Sequence, residues 1–405
     1  ADYLIEIGPK AGEEGGRLVA QGPPASIRDN PGSITGLFLA GLRTIPLPTR
    51  RRAGSWQKLQ LEGAGGHNLK NLSVTIPLGV LTCVTGVSGS GKSTLILDTL
   101  YPALVKRLHR KPLTGQPYSS LKGAEFLERV IHVDQSPIGK SARSNAGTYL
   151  SVFKTIREHF AALPESRARG YLPRRFSFNV EGGRCGGCQG EGNKRIEMHF
   201  LPDVFVRCDV CEGARYNRET LEIRYRGRSI ADILALSITE VERFFRNVPG
   251  VASRLQAMLG VGLGYLRLGQ PANTLSAGEA QRLKIARELG KREGKRTLYI
   301  LDEPTTGLHF EEVERLVGVL NRLVDAGNSV IVIEHNLELI KCADHVIDLG
   351  PEAGEAGGAI VAQGAPEELL AQTAQSHTAV SLVPYLKGVG VAKTDSPGDK
   401  EGVLH

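Results

Sequence analysis

One glycine-rich segment constrains this chain more than any other feature. Residues 86–94 read GVSGSGKST, which is the pattern of a phosphate-binding loop. Its glycines let the backbone curl so that amide N–H groups point at a phosphate chain. An apolar, β-branched run precedes the loop at 80–87, and a run with helical apolar spacing follows it at 93–108. This strand–loop–helix order predicts a nucleotide site on an α/β sheet.

The side chains of the loop have distinct predicted roles. We expect Lys92 to reach the β- and γ-phosphates of ATP and Ser93 to ligate Mg²⁺. The predicted nucleotide-binding residues of the loop are Gly86, Ser88, Gly89, Ser90, Gly91, Lys92, Ser93 and Thr94.

Three other apolar runs end in side chains suited to ATP hydrolysis. TLYILDEP ends in Asp302, which we expect to hold Mg²⁺ through water, and Glu303, which we expect to orient or deprotonate the attacking water. NSVIVIEHN carries His335 at its end, where a histidine can contact the γ-phosphate. VIHVDQSP carries Gln135, placed to touch Mg²⁺ or the attacking water. Glu303, His335 and Gln135 are therefore the predicted catalytic residues.

A further motif, LSAGEAQRLKIARELG at 275–290, predicts a capped helix. Ser276 followed by Glu279 has the spacing of a capping box. A helix start offers free N–H groups and a positive dipole end, so we expect Ser276 and Gly278 to bind phosphate. The order of phosphate loop, Gln, LSAGE, acidic strand end and His is similar to that of ABC-type ATPases. That resemblance implies that this helix closes over ATP held by another domain, so the chain needs a partner domain.

Two C-x-x-C pairs predict a metal site. RCGGCQGEG and RCDVCEG give the spacing C-x₂-C-x₁₉-C-x₂-C, which is typical of a four-cysteine zinc site. Four thiolates leave no open position for a substrate, so we expect the zinc to be structural and not catalytic. The predicted zinc ligands are Cys185, Cys188, Cys208 and Cys211.

Positive charge is concentrated around these cysteines. Residues 140–230 hold 17 Lys and Arg against 10 Asp and Glu, so this segment carries the whole net charge of +7. Such a surface is either a solvated face or a site for an anionic partner, most commonly nucleic acid. The sequence has no apolar run long enough for a bilayer and no signal peptide, and its cysteine pattern indicates a reducing compartment. We therefore expect a cytoplasmic location and no membrane partner.

An internal repeat bears on the domain organisation. Residues 1–24 and 343–366 are identical at 15 of 24 positions, so we expect the first copy to end a preceding ATPase domain in a tandem duplication. The 210 residues from Lys92 to Asp302 exceed the roughly 30 residues of a βαβ unit, which predicts an inserted domain. The predicted divisions are the tail of a preceding domain at 1–24, a linker at 25–55, ABC ATPase segments at 56–140 and 266–375, an insert with the zinc module at 141–265, and a partly disordered C-terminal tail at 376–405.

Taken together, these motifs resemble the C-terminal half of one family, the bacterial excinuclease subunit UvrA. The resemblance covers about residues 57 to 370. The departures are small, because LSAGE stands where the family usually has LSGGE and SNAGTY replaces a Pro-containing version of that loop. The strings that carry the resemblance are TGVSGSGKSTL, VDQSPIGKSARSN, FSFNVEGGRCGGCQGEG, EMHFLPDVFVRCDVCEGARYNRETLE, VGLGYLRLGQPANTLSAGEAQR and LYILDEPTTGLHF.

The resemblance implies an α/β fold, with a P-loop ABC-type ATPase domain and an inserted zinc-binding α+β domain. It implies ATP, Mg²⁺ and Zn²⁺ as cofactors, and hydrolysis of ATP to ADP and phosphate without nuclease activity. UvrA acts in nucleotide excision repair, where it forms a homodimer, recognises damaged double-stranded DNA and hands the site to UvrB. Two alternatives stay open at this point: a UvrA-like paralogue in resistance to DNA-binding drugs, and the ATPase subunit of a membrane transporter, against which the zinc insert argues.

Overall fold

The structure is a computed structural model that describes residues 1–9, 15–139, 143–196, 198, 204–290 and 296–386. Its strands are β1 Leu4–Gly8, β2 Arg17–Gly22, β3 Lys58–Ala64, β4 Leu72–Pro77, β5 Leu81–Gly86, β6 Ser120–Lys122, β7 Arg129–Val133, β8 Asn193–Ile196, β9 Val204–Arg207, β10 Arg224–Tyr225, β11 Arg228–Ser229, β12 Thr297–Asp302, β13 Ser329–Ile333, β14 His345–Gly350 and β15 Ala359–Gly364. Its α-helices are α1 Pro24–Arg28, α2 Ile34–Leu39, α3 Tyr101–His109, α4 Ala146–Tyr149, α5 Val152–Ala161, α6 Pro164–Ala168, α7 Arg218–Glu222, α8 Ile230–Ala235, α9 Ile238–Phe244, α10 Pro249–Gly260, α11 Ala277–Leu289, α12 Phe310–Asp325, α13 Leu337–Ile340, α14 Pro366–Leu369 and α15 His377–Leu386. A π-helix spans Thr94–Leu100, and 3₁₀ turns span Ala124–Phe126, Pro173–Phe176, Ala272–Thr274, Gly354–Ala356 and Leu370–Gln372.

The chain divides into two compact units. The sheet unit comprises Ile45–Val133, Glu293–Thr306 and Val317–His405. The insert unit comprises Ala1–Thr44, Asp134–Arg292 and Gly307–Leu316. The chain passes from the sheet unit into the insert unit directly after β7.

The sheet unit is built on a 6-stranded sheet with the order β15-β14-β5-β13-β12-β7. All neighbouring strands are parallel except β15, which pairs antiparallel with β14. The sequences of β5, β12 and β13 are buried apolar runs, typical of parallel strands that are covered on both faces. Ile333 of β13 pairs with Val84 of β5 and with Asp302 of β12. The carboxyl ends of these three strands therefore lie at one edge of the sheet.

A second, antiparallel sheet of order β4-β3-β6 shares the core of this unit. Leu61 and Val74 from this sheet lie in one buried apolar cluster with Leu95, Ile300 and Ile331. Full burial of one such side chain contributes roughly 1.5–3 kcal/mol. The cluster is therefore a large source of stability for the strands that carry the predicted ATP site.

The insert unit has a helical core and small hairpins. α5 repeats apolar residues at helical spacing, and α10 packs against both α5 and α9. Phe160 at the end of α5 contacts Phe176, with ring centroids 5.6 Å apart. The hairpin β8–β9 lies within the zinc module, which we define as residues 184–216.

The internal repeat folds into the same hairpin twice. β1 pairs antiparallel with β2, and β14 pairs antiparallel with β15. The register shifts between Glu6 and Ile7 in the first hairpin and between Asp348 and Leu349 in the second. These are equivalent positions of the two sequences, so the repeat conserves an irregularity as well as the strands.

The structural repeat extends beyond residue 24. The first strand of each hairpin carries a carboxylate, Glu6 in β1 and Asp348 in β14. This carboxylate accepts hydrogen bonds from a Ser-x-Thr sequence at the start of a helix. In each copy the serine hydroxyl also caps that helix, by accepting the N–H of Gly36 or of Ala379. The donors are Ser33 and Thr35 in the first copy and Ser376 and Thr378 in the second.

Two of the predicted segments are partly helical. The predicted linker at 25–55 contains most of α1 and all of α2. The predicted tail at 376–405 contains α15, and its remainder, 387–405, lies outside the described residues. The predicted domain boundaries themselves stay predictions. Among the helices of the described residues, none has the length and apolar character of a membrane span.

Candidate nucleotide and zinc sites

The phosphate loop follows β5, and its path requires glycine at two positions. Gly86 has a φ of 132° and Gly91 has a φ of 105°, a region that side chains disfavour. A Cβ at Gly86 would lie 2.1 Å from the carbonyl oxygen of Leu349. A substitution at Gly86 would therefore push the loop away from β14.

Lys92 folds back across this loop. Its Nζ donates hydrogen bonds to the carbonyl oxygens of Gly86 and Val87, at 2.9 and 2.8 Å. Burial lowers the pKa of Lys92, while the charge of Glu303 acts in the opposite direction. The ammonium group is thus held at the loop, where a phosphate chain would be its natural partner.

The small residues of the loop differ in their surroundings. Ser88 and Gly89 are exposed, and the carbonyl oxygen of Gly89 accepts a hydrogen bond from Nδ2 of Asn68 at 3.0 Å. Ser90 is buried, and its hydroxyl has no hydrogen-bond partner among the described residues. The loop is therefore fixed mainly through its backbone, which is also the part expected to bind phosphate.

The helix that follows the loop is less regular than the sequence predicts. Its first part, Thr94–Leu100, is a π-helix that continues directly into α3. Thr99 contributes to this irregularity, because its hydroxyl donates to the carbonyl oxygen of Thr94 at 2.7 Å. Short π-helical segments are frequent at functional sites.

The acidic strand end lies at the same edge of the sheet. Burial raises the pKa of Asp302, and the negative charge of Glu303 raises it further. Glu303 has a φ of 42°, an unusual value for a residue with a side chain and one often found at functional sites. Its Oε1 lies 3.8 Å from Nδ1 of His335. The sheet unit therefore brings two predicted catalytic side chains together.

The other predicted nucleotide residues belong to the insert unit. Gln135 follows β7, and Ser276 and Gly278 lie at the start of α11. The roles that we predict for these residues and for those of the sheet unit stay predictions.

The predicted capping box of α11 is present. Ser276 Oγ accepts the N–H of Glu279 at 3.2 Å, and Glu279 Oε2 accepts the N–H of Ser276 at 2.7 Å. The other oxygen of Glu279 accepts a hydrogen bond from the hydroxyl of Tyr265 at 2.5 Å. Ser276 and Tyr265 therefore fix the side chain of Glu279 at the start of α11. Ser276 and Ala277 themselves are exposed.

Lys284 is a residue that sequence reasoning missed. From α11 its Nζ donates to the Asp134 carboxylate, to the carbonyl oxygen of Asp134 at 3.1 Å, and to Ser136 O and Oγ at 2.8 Å each. These two residues flank Gln135. Lys284 therefore connects the loop that carries Gln135 to the helix that carries the LSAGE motif. No local pattern identifies this contact, because the partners lie about 150 residues apart in the sequence.

The four predicted zinc ligands lie together. Their Sγ atoms are all within 4.8 Å of one another. The Cys185–Cys208 and Cys188–Cys211 Sγ distances are 4.0 and 3.6 Å. A tetrahedral site with Zn–S bonds of about 2.3 Å has S···S distances of about 3.8 Å. The donor set and its geometry therefore fit a zinc ion.

Backbone N–H groups favour the thiolate form that zinc requires. Burial acts to raise the pKa of Cys208, but the N–H groups of Cys211 and Val210 outweigh it and lower this pKa to about 7. The N–H of Gly192 also donates to Sγ of Cys188 at 3.2 Å, although burial outweighs this donor and raises the pKa of Cys188. Such donors stabilise a negative sulfur, as in zinc-binding turns.

The basic residues around the zinc module have different surroundings. Arg174 and Arg195 are exposed. Arg175 donates from Nε to Thr220 Oγ1 at 2.9 Å and stacks on the ring of Tyr171. Arg175 therefore makes contacts within the fold, and Lys194 forms an ion pair with Asp209 at the surface.

Comparisons with known proteins identify close relatives, although no family model matches the sequence. UvrABC system protein A of Methanothermobacter thermautotrophicus is 57% identical over 371 residues, which are 92% of this chain and 39% of the relative. UvrABC system protein A of Thermus thermophilus is 55% identical over 393 residues, which are 97% of this chain and 41% of the relative. The chain thus spans about two fifths of the length of these relatives.

One solved structure has the same fold. The crystal structure of UvrA2 from Deinococcus radiodurans matches with a TM-score of 0.86 and 48% identity, over 95% of this chain and 46% of that chain. Together with the six-stranded sheet and the four-cysteine cluster, this match confirms the predicted α/β fold class of an ABC-type ATPase with an inserted module.

Proposed function

The resemblance of this chain to UvrA is confirmed, and from this premise we propose that it acts in ATP-dependent recognition of DNA damage in nucleotide excision repair. The observation that carries the proposal is the identity of 57% and 55% to two proteins named UvrABC system protein A, over 92% and 97% of this chain. In this role ATP binding and hydrolysis control the engagement of damaged double-stranded DNA and its handover to UvrB. The protein acts as a dimer of UvrA type.

ATP hydrolysis is supported by the arrangement in the sheet unit. The phosphate loop and Lys92 bind the phosphate chain, and Ser93 with Asp302 holds Mg²⁺. Glu303 orients the attacking water, and His335 beside it contacts the γ-phosphate. The exposed start of α11 receives the phosphates of a nucleotide that another ATPase domain binds.

A test of this arrangement follows from the sequence, which has one phosphate loop and one LSAGE motif. We expect turnover to require a complementary helix of LSAGE type supplied in trans. ATPase activity is measured for the chain alone and after addition of the N-terminal half of a UvrA relative. Full activity in a strictly monomeric sample of this chain alone would overturn the requirement.

Zinc binding is supported by the fit of the four thiols. Cys185, Cys188, Cys208 and Cys211 would hold one Zn²⁺ per chain in a closed site. When bound, the ion supplies structural cross-linking and no chemistry. The bound ion would then hold in place the hairpin β8–β9, which lies between the two C-x-x-C pairs.

DNA contact is the part of the proposal that concerns the insert unit. The segment 140–230 carries the whole net charge of the chain and surrounds a zinc module that no step of ATP hydrolysis needs. Lys and Arg contacts to phosphates do not depend on base sequence, which suits a protein that recognises damage anywhere. Damaged DNA would then be distinguished by its deformability.

The experiment removes two exposed positive charges of the segment 140–230. In the variant Arg174→Ala/Arg195→Ala we expect weaker binding to duplex DNA at low salt and a slope of log affinity against log salt that is smaller by about 2. Lys58→Ala/Lys70→Ala is the matched control, because it removes two exposed charges from the sheet unit. Titrations use labelled duplexes with and without a bulky lesion. An unchanged slope in the first variant would place the DNA surface elsewhere.

The second candidate is a UvrA-like paralogue that acts in resistance to DNA-binding drugs. The matched solved structure is called UvrA2, at 48% identity, which is consistent with a UvrA-type protein other than the repair subunit. The higher identities of 57% and 55% to UvrABC system protein A favour the repair subunit. Binding assays distinguish the two, because a repair subunit prefers a covalent bulky lesion whereas the paralogue prefers a duplex that holds an intercalated drug.

A further inference from the structure

Glu334 is a buried carboxylate that the proposed catalytic set does not use. It follows β13 at the edge where the phosphate loop begins, and its exposed fraction is 0%. A buried charge is costly unless several hydrogen bonds compensate it. Its partners therefore indicate why the fold keeps it.

One oxygen of Glu334 binds the segment that follows Glu303. Oε1 accepts hydrogen bonds from the N–H and the hydroxyl of Thr305, at 2.8 and 2.5 Å. Thr305 is separated from Glu303 by a single proline. The position of Glu303 is thus coupled to the Glu334 carboxylate through the backbone of Pro304 and Thr305.

The other oxygen binds the segment that carries His335. Oε2 accepts the N–H groups of His335 and Asn336 at 3.0 and 3.1 Å. The backbone N–H of Glu334 itself donates to the carbonyl oxygen of Val84 at 3.0 Å, two residues before Gly86. Glu334 therefore contacts the segments that follow β12 and β13 through its side chain, and the strand β5 through its backbone.

We propose that Glu334 is a positioning residue for ATP hydrolysis, which fixes the segment of Glu303 and the segment of His335 to each other through its two carboxylate oxygens. The inference rests on the proposed ATPase function. It goes beyond that function by assigning the geometry of two catalytic groups to a third residue that touches no substrate.

The chemistry of a carboxylate explains why glutamate is needed here. Both oxygens of an ionised carboxylate accept hydrogen bonds, and each can accept two. Glutamine offers one accepting oxygen and one NH₂ group that only donates. In Glu334→Gln either the N–H of Thr305 or the N–H groups of His335 and Asn336 would face another donor, so one segment must move.

A displacement of this kind acts on turnover more than on binding. A shift of about 1 Å in a catalytic group can reduce a rate about 10²-fold. The strand β5, which leads into the phosphate loop, is contacted only by the backbone N–H of Glu334, and this contact does not depend on the side chain. We therefore expect Glu334→Gln to lower kcat about 10²-fold while the affinity for MgATP changes less than about twofold.

The experiment compares Glu334→Gln with Thr305→Val and Thr305→Ser. Thr305→Val removes the hydroxyl donor and leaves the charge of Glu334 in place. Thr305→Ser retains a hydroxyl donor at the same position. Hydrogen exchange at the amides of 305, 335 and 336 is measured without nucleotide, next to MgATP binding and turnover with the complementary half. We expect faster exchange at one segment in Glu334→Gln, reduced turnover in Glu334→Gln and Thr305→Val, and rescue in Thr305→Ser.

The outcomes separate the inference from the proposed function. Unchanged exchange and unchanged turnover in Glu334→Gln would overturn the positioning role, while wild-type turnover would still support the ATPase. Absence of MgATP binding in the wild type would overturn the ATPase function alone, since exchange still reports on the contacts. If Glu334→Gln does not fold, Thr305→Val decides: normal turnover overturns the inference, and loss with rescue by serine supports it.

Discussion

The strand β13 and the hairpin β8–β9 differ in how much apolar surface they bury. All residues of β13 are buried, and Ile331 lies in the large apolar cluster of the sheet unit. On the hairpin, the apolar side chains of Ile196 and Phe205 are 47% and 58% exposed. The buried cluster of the zinc module consists of cysteines, Cys185, Cys188 and Cys208, with Cys211 packed against them.

This difference indicates a division of labour. The sheet unit holds its predicted ATP site in place by burial of apolar surface, which needs no ligand. Among its described residues the zinc module has little apolar core of its own, so we expect its structure to depend on a bound metal. Because apolar side chains are not needed for a core here, apolar and basic side chains of the module can face solvent, where a partner can reach them.

The largest expected effect concerns the metal. Cys208→Ser removes one of four ligands, and structural zinc contributes about 10–16 kcal/mol of binding free energy in small zinc domains. We expect one zinc per chain in the wild type and none in the variant, with loss of amide protection across 184–216. The melting temperature of the sheet unit should not change. Elemental analysis and hydrogen exchange measure these effects.

Cys342→Ala is the matched control for this substitution. Cys342 is a buried cysteine of the sheet unit whose thiol contacts the carbonyl oxygen of Pro46. We expect its loss to leave the zinc content at one per chain. A zinc-free wild-type protein, prepared with all thiols reduced, would contradict the metal site altogether.

The next largest effect concerns catalysis in the sheet unit. Glu303→Gln keeps the shape of the side chain but removes the carboxylate that orients water, so turnover should fall about 10²- to 10⁴-fold. Nucleotide affinity and zinc content should stay unchanged. Lys92→Ala is the contrasting variant, in which loss of a charged hydrogen-bond donor should weaken nucleotide binding roughly 10- to 100-fold. Equal turnover in Glu303→Gln and wild type would assign the water-orienting role to another group.

A third prediction compares apolar truncations in the two regions. Ile331→Ala opens a cavity in the sheet core and should lower the free energy of unfolding by about 2–5 kcal/mol. Val204→Ala on the hairpin removes a side chain that is 43% exposed, and should change it by less than about 0.5 kcal/mol. Denaturant unfolding of both variants tests the comparison. Similar losses would mean that the hairpin is held by packing after all.

The smallest effect concerns the contact of α11 with the Gln135 loop. Burial opposes ionisation of Asp134, but Lys284 and Ser136 outweigh it and lower the pKa of Asp134. The pair therefore stabilises the fold at neutral pH, and this contribution is lost as pH falls through the lowered pKa. Lys284→Ala should cost less than about 1 kcal/mol, because Asp134 is partly exposed, and should remove this part of the acid dependence.

Lys284→Arg is the comparison variant, since it keeps the charge and several donors. Thermal unfolding between neutral and acid pH measures the effect. An identical acid dependence in Lys284→Ala and wild type would show that the contact contributes nothing to stability.

Local sequence patterns predicted much of the fold and several features of the candidate sites. The phosphate loop, the strand ends and the capping box of Ser276 depend on residues that are neighbours in sequence, so their spacing is informative. The zinc ligands are separated by 19 residues between pairs, yet the repeated C-x-x-C turn compensates for that distance. The internal repeat was visible from sequence identity alone.

The remaining features depend on contacts between distant segments. Glu334 binds Thr305, which lies 29 residues away, and neither position stands out in a sequence. The sequence likewise shows that the segment 140–230 is basic, but it does not show which of its basic side chains bind other residues. The structure shows such contacts for Arg175 and Lys194. The structural extension of the repeat to Ser33 escaped sequence comparison because only two side chains of that stretch are shared.

The most direct test of this division measures both ligands on one sample before and after removal of zinc. The reduced protein is treated with a chelator, exchanged into Mg²⁺ buffer, and titrated with nucleotide and with a lesion-containing duplex over a range of salt. We predict unchanged nucleotide affinity, weaker DNA binding and a smaller salt slope in the zinc-free protein, with recovery when Zn²⁺ is restored. Loss of nucleotide binding together with the metal, or DNA binding that is indifferent to it, would contradict the independence of the two regions.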